Sequence, residues 1–225
     1  MYKSFIKRSI DIILSFLGII ILAIPMLIVA IIIKIDSPGP IIFKQTRVGI
    51  NKKPFTILKF RSMPVTVPKD MPTHLFKAED MLSPFQKLIR KLSIDELPQI
   101  YCIFIGTMTI IGPRPALFNQ EDLLFERDKY GANDIKPGLT GWAQINGRDE
   151  LPIPLKAKLD GDYTYELNKG GLSAFKMDLK CFFGTILKVL KSDGVIEGGT
   201  GKIETAKDEV MKKWLKYLLP EQTVI

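Results

Sequence analysis

The run from Ile12 to Ile33 carries no charged residue and sets the first constraint on this chain. Its 22 residues rise about 1.5 Å each as a helix, enough to cross a hydrocarbon core of about 30 Å. No small-residue cleavage site follows it, so the segment reads as retained. Pro25, near its middle, removes a backbone donor and bends a helix. Lys3, Lys7 and Arg8 stand before the run; Lys34, Lys44, Arg47, Lys52 and Lys53 stand after it. Basic residues favour the cytoplasmic side, and here they ask for both ends on that side. A helix that enters, breaks at Pro25 and returns satisfies this demand. A tilted span with a proline kink is the simpler alternative, and hydropathy alone does not choose between them.

The 225 residues leave room beside this segment for one domain with a sizeable core. The formal net charge of +8 favours an anionic partner: nucleic acid, an anionic bilayer face or a phosphorylated substrate. Cys102 and Cys181 lie far apart in apolar contexts, without a CxxC, and read as buried thiols of a reducing compartment. His74 is the only histidine and reads as a solvated loop residue. A lone histidine disfavours a His-based triad and a His-rich metal site.

Asp36-Ser37-Pro38-Gly39-Pro40 is a turn cluster that ends the apolar segment. Ile41–Phe43 and Pro54–Phe60 read as short strands around a Gly49–Lys53 turn. Residues 64–80, with several prolines and little periodicity, read as a loop. Helices are expected over Ser83–Lys91, Asp95–Ile105, Asn119–Tyr130, Leu155–Leu167 and Ser173–Lys191. Gly194–Gly201 reads as a linker, and Ile203–Leu219 as a final amphipathic helix with Val210, Trp214 and Leu218 on one stripe. The expected fold is α+β, an α-rich domain with a small β element. Its expected divisions are residues 1–36, 37–193 and 194–225.

Four motifs offer chemistry. Asp95 and Glu96 are adjacent carboxylates at an expected helix start. Ser93 and Glu96 have capping-box spacing, but Pro98 sits best at the third helical position, which makes Asp95 the N-cap. A helix N-terminus, with Arg90 nearby, would hold that carboxylate ionised, able to attack phosphorus or to bind Mg²⁺. Taken alone, the pair is more simply a cap beside a solvated acid. Gly112-Pro113-Arg114-Pro115 fixes the backbone around a guanidinium, either to meet a phosphate or as a rigid corner. Lys59-Phe60-Arg61-Ser62-Met63 puts cations at a strand end, as a phosphate site or a solvated edge. Pro137 to Asp149 combines close-approach glycines with Gln144, Asn146 and Arg148 as donors, and with Trp142 to stack on a ring or fill core. It lacks the spacing of a Walker loop or a GxGxxG turn.

In this order, the segments Ser37–Gly49, Lys59–Met63, Ser93–Gln99, Ile111–Pro115 and Pro137–Arg148 resemble the bacterial sugar transferases. These are the monotopic polyprenyl-phosphate phosphoglycosyl transferases. The resemblance is to the small members, with one re-entrant membrane helix, interfacial amphipathic helices and a cytosolic catalytic domain. It implies transfer of a sugar 1-phosphate from a UDP-sugar to undecaprenyl phosphate, with release of UMP. The donor would most commonly carry an N-acetylated amino sugar, and the reaction would begin surface glycan assembly. By the family pattern Asp95 is the nucleophile that forms a phosphosugar-enzyme intermediate. Glu96 would help bind Mg²⁺ or manage a proton. Lys59, Arg90, Arg114 and Arg148 match basic positions for phosphates; Gln144 belongs to the binding segment, and Asp178 matches an acid whose role is open. The resemblance also implies the bacterial inner membrane, with the catalytic domain on its cytoplasmic face, and leaves a homo-oligomer open.

Two departures stand out. Ile24-Pro25 replaces the Ser-Pro common at the break in the membrane helix, which removes a hydroxyl that could satisfy the freed carbonyl. Asp149–Pro154 replaces a Trp-containing stretch, which leaves the sugar in doubt. A membrane-anchored glycosyltransferase releasing UDP is the competing enzyme, and a non-catalytic membrane scaffold for polysaccharide assembly the competing binder. Nucleic acid is disfavoured, because the basic residues sit in Pro/Gly turns without interleaved aromatics.

Overall fold

The computed structural model describes residues 2–65, 82–147 and 151–190, with backbone only at 189 and 190. Arg148, His74 and the expected C-terminal linker and helix lie outside the described residues.

A short π-helical turn, Tyr2–Ile6, leads into α1, Lys7–Asp36, one unbroken helix with Pro25 inside it. It is the one described helix long and apolar enough to cross a membrane. Most of its apolar side chains face outward, among them Ile13, Ile21, Ile24 and Leu27. Its inward stripe runs through Lys7, Asp11, Ser15, Met26 and Ile33, which are buried. These positions recur at helical spacing, so a single face meets the domain over nearly the whole length.

That face is polar at one end and apolar at the other. Lys7 pairs with Asp178 at 2.8 Å. Arg8 donates to the carbonyls of Ile103 and Phe104, each at 2.7 Å. Asp11 accepts from the Thr109 hydroxyl at 2.7 Å and the Ile110 amide at 3.0 Å. Gly18 leaves room for Ile100, since a Cβ there would lie 2.4 Å from its Cδ1. Further along, Met26 and Ile33 join Phe60 and Ile89 in a hydrophobic cluster.

The β element is two small sheets. Strands β1, Ile42–Val48, and β2, Pro54–Phe60, pair antiparallel from Ile42 opposite Phe60 to Val48 opposite Pro54. β1 is longer than its apolar start suggests, because Lys44, Gln45, Thr46 and Arg47 continue the pairing. Strands β3, Thr109–Ile111, and β4, Gly138–Thr140, pair in parallel. Neither strand of this second sheet is expected from sequence, because three-residue strands carry too little alternation to be seen. Around the sheets lie α2 (Pro84–Lys91), α3 (Gln99–Ile105), α4 (Glu121–Asp128), α5 (Trp142–Ile145), α6 (Ile153–Lys169) and α7 (Gly171–Leu190). The α-rich α+β expectation holds.

A capping box does occur, one helix earlier than expected. Ser83 accepts from the Gln86 amide and Gln86 returns a bond to the Ser83 amide, with Pro84 opening α2. The expected single helix over Asp95–Ile105 is broken instead: Ile94–Glu96 form a 3₁₀ turn and α3 starts only at Gln99.

Two buried charged hubs hold the packing. Asp178 on α7 accepts from Tyr2, Lys7 and Tyr163. Arg127 on α4 forks onto Asp160 of α6 and donates to the Arg114 carbonyl at 3.0 Å. Both cysteines are free and buried, as expected. Where the Gly112–Pro115 corner crosses β4, the Gly112 amide reaches the Thr140 carbonyl and the Gly138 amide reaches the Pro113 carbonyl, both at 2.8 Å. A Cβ on Gly138 would lie 2.1 Å from the Gly112 nitrogen, with backbone that cannot move aside. Gly138→Ala is therefore expected to lose about 3 kcal/mol of stability, read as a lower unfolding temperature in detergent; an unchanged midpoint contradicts this crossing.

Candidate active site

Asp95 and Glu96 lie side by side in the 3₁₀ turn, and both are buried. Neither is a helix cap. Ser93 adopts a left-handed conformation with φ 54° and makes no side-chain cap, so the expected Ser93–Glu96 box and the expected Asp95 N-cap are both corrected. A three-residue turn closed by Leu97 gives no aligned helix field at Asp95. The carboxylate is held by a side chain instead: the Ser62 hydroxyl donates to its Oδ2 at 3.3 Å.

Glu96 is the anion of a cation cluster. Its Oε1 accepts from Lys59 Nζ at 2.9 Å and from Arg114 Nη2 at 2.8 Å. Arg114 Nη1 reaches Oε2 at 3.4 Å, which makes the contact a loose fork. Thus β2, the acid turn and the Gly-Pro-Arg-Pro corner converge on one carboxylate. Arg90, half-buried at the end of α2, feels the negative charges of Asp95 and then Glu96. Four residues singled out from sequence, Lys59, Arg90, Asp95 and Arg114, therefore surround Glu96 electrostatically or by contact.

Burial governs the protonation of this cluster. Taking Asp95 out of water pushes its carboxyl above the ordinary value; Lys59 pulls it back, Glu96 pushes it further, and Arg90 and the Ser62 hydroxyl oppose. The expectation that nearby positive charge holds this pKa low is corrected: desolvation outweighs it. Burial likewise pulls the Lys59 ammonium below the usual lysine range, with Glu96 opposing.

Other sequence candidates go elsewhere. Asp178 has its oxygens taken by Tyr2, Lys7 and Tyr163, in the cluster that docks the start of α1. Gln144 donates to the Leu139 carbonyl at 2.8 Å and so braces β4, while its buried Oε1 has no hydrogen-bond partner. Trp142, half-buried, packs against two core clusters. Arg61 ties the chain after α1, donating to the Ser37 and Pro38 carbonyls at 2.6 and 2.7 Å. Residues that sequence reasoning passed over are Asp11, Arg127 and Asp160. An aspartate inside an apolar helix was a signal for the first; the other two lay among ordinary surface-type charges.

Mg²⁺ favours oxygen ligands and binds through one or two carboxylates together with substrate phosphates and water. Asp95 and Glu96 fit that habit. Among the described residues no cluster of three or more metal-ligating side chains forms a ready cage.

Residues 2–192 match the bacterial sugar transferase family. The chain is 40% identical over 164 residues to the uncharacterized sugar transferase EpsL of Bacillus subtilis, covering 73% of this chain and 77% of that protein. It is 38% identical over 186 residues to the UDP-glucose:undecaprenyl-phosphate glucose-1-phosphate transferase of Escherichia coli, covering 81% of this chain and 40% of that one. It is 34% identical over 195 residues to the UDP-N-acetylgalactosamine-undecaprenyl-phosphate N-acetylgalactosaminephosphotransferase of Aeromonas hydrophila, covering 85% and 45%. The chain spans less than half the length of these last two relatives. This chain belongs to the bacterial sugar transferase family. It is an enzyme of the phosphoglycosyl transferase type.

A buried carboxyl whose pKa is raised by folding burdens the fold when ionised. Its unfavourable charge is absent at low pH and appears as pH rises through the folded pKa. Asp95→Asn, which removes that charge, is expected to unfold at a higher temperature than the wild type at pH 7.5, by about 2–4 °C per kcal/mol. The gap should shrink as pH falls toward 4. A gap that is absent at pH 7.5, or that widens in acid, contradicts the desolvated carboxylate.

Proposed function

We propose that this enzyme transfers a sugar 1-phosphate from a UDP-sugar to undecaprenyl phosphate, through a phosphosugar bound covalently to Asp95, and releases UMP. What carries the reading is the buried Asp95 carboxylate beside a cluster of Lys59, Arg90 and Arg114. An Asp95 oxygen attacks the phosphorus that bears the sugar, and the bond from that phosphorus to the oxygen of the departing UMP breaks. An oxygen of the lipid phosphate then attacks the same phosphorus; the acyl-phosphate bond breaks, and Asp95 leaves as a free carboxylate. Desolvation makes the carboxylate a stronger nucleophile than it is in water, since its lone pairs are less occupied by hydrogen bonds.

Lys59 and Arg114 are the residues that would hold the donor phosphates, and in the described structure Glu96 occupies both. A diphosphate would exchange with this carboxylate, since phosphate and carboxylate match the same guanidinium fork. Asp95 and Glu96 would hold Mg²⁺, which supplies charge neutralisation on the transferring group. Arg148 remains a proposed phosphate contact from its motif, and Asp178 a residue that fixes α1 to the catalytic domain.

The sugar is proposed to be an N-acetylated amino sugar, and the product to begin a surface glycan. The Aeromonas relative is named for such a sugar and the Escherichia coli relative for glucose. A panel of UDP-sugars with undecaprenyl phosphate decides between them. The family is membrane-associated. We place the catalytic domain on the cytoplasmic face, with α1 re-entering the bilayer from that face. Lys7 near the start of α1 and Ile33 near its end both pack on the same domain, which supports this.

Incubating the enzyme with donor labelled in the sugar, without lipid acceptor, is expected to leave label on the protein and release UMP. Asp95→Asn should leave the protein unlabelled and reduce turnover by at least about a thousandfold. Release of UDP points to the glycosyltransferase reading, and full turnover by Asp95→Asn to a different nucleophile. Arg114→Ala is expected to weaken binding of inorganic pyrophosphate by on the order of tenfold, measured by calorimetry. Unchanged binding would move the phosphate seat away from this corner.

A further inference from the structure

Two neighbouring residues on the strand exit have opposite partners. Arg61, 5% exposed, sends its guanidinium back to the turn that ends α1: Nη2 to the Ser37 carbonyl at 2.6 Å and the Ser37 hydroxyl at 2.9 Å, Nη1 to the Pro38 carbonyl at 2.7 Å. Its own amide donates to the Ile41 carbonyl at 2.9 Å. Ser62, also buried, turns the other way and donates to Asp95 Oδ2 at 3.3 Å. Just before them, Phe60 packs with Met26 and Ile33 of α1 and with Ile89 of α2. The fit around Arg61 is tight: a Cβ on Gly39 would lie 2.0 Å from Nη1. Residues 60–62 are thus pinned on the membrane helix, and among the described residues the hydroxyl they carry is the side-chain donor on the Asp95 carboxylate.

We propose that Ser62 is a positioning residue for Asp95: its hydroxyl holds one carboxylate oxygen and leaves the other to react, and Arg61 ties that hydroxyl to the exit of the membrane helix. A carboxylate turns about its last bond through a broad, nearly two-fold well, so without a donor both oxygens sample many directions. One hydrogen bond removes that freedom and distinguishes the oxygens, since the bonded one has a lone pair engaged. Orientation of this kind accelerates the attack without adding affinity for the donor. The inference rests on the covalent role proposed for Asp95.

The test is single-turnover labelling of the full chain in detergent with sugar-labelled donor and no lipid acceptor. The dependence of the labelling rate on donor concentration separates the limiting rate from half-saturation. Ser62→Ala is expected to lower the limiting rate on the order of tenfold, leave half-saturation within about twofold, and keep its unfolding temperature. Ser62→Thr, which retains the hydroxyl, restores most of the rate. On the Ser62→Ala background, Arg61→Lys adds no further loss, because the tie has lost its cargo. Labelling by Ser62→Ala at the wild-type rate overturns the proposal. So does a parallel loss of rate and affinity that threonine does not rescue, which describes a damaged site. Additive losses from the two substitutions remove Arg61 from it. Absence of label on the wild type sinks the covalent reading, and this inference with it.

Discussion

Glu96 holds the site together. One buried carboxylate accepts from Lys59 on β2 and from Arg114 on the Gly-Pro-Arg-Pro corner, while it shares a three-residue turn with Asp95. Each partner comes from a different part of the chain. Removing one member of such a cluster strands the rest, which is why buried ion clusters specify an arrangement more than they stabilise it. The elements behind the cluster are fixed in turn. Arg127 holds the Arg114 carbonyl, and the Gly112–Gly138 crossing admits no side chain.

The apolar helix is part of this construction. A segment that served only to attach a domain would need no inward polar face. α1 has one: Lys7, Arg8 and Asp11 spend their charges on Asp178, on the end of α3 and on the start of β3. α3 follows the acid turn and β3 leads into the Arg114 corner, so the first turns of α1 grip both halves of the site from behind. Its far end meets Phe60 and Ile89, each next to a residue of the cation cluster or its support.

Much of this was legible. Periodicity located α2, α4, α6 and α7 to within a few residues; the four-residue α5 was not expected. The order of motifs disclosed the family, and Lys59, Asp95, Glu96 and Arg114 do converge. Less legible was what each residue does for the others. Lys59 and Arg114 looked like cations awaiting phosphate, and sequence spacing could not show Glu96 between them. Asp95 looked like a cap kept anionic by a helix; the left-handed Ser93 and Leu97 bound a short turn there instead, and burial then decides the carboxyl's pKa. The parallel β3–β4 pair joins segments nearly thirty residues apart through three-residue strands, which no local pattern announces.

The polar face of α1 bears on how such a chain can change. A greasy peptide of equal length and hydropathy would still lodge the protein in lipid. It would take the Lys7 donor from Asp178, the Asp11 acceptor from the Thr109 hydroxyl and the Arg8 donors from the last carbonyls of α3. Grafting a foreign anchor is therefore not a neutral exchange, and the greasy helix and the catalytic body have to be inherited as one piece.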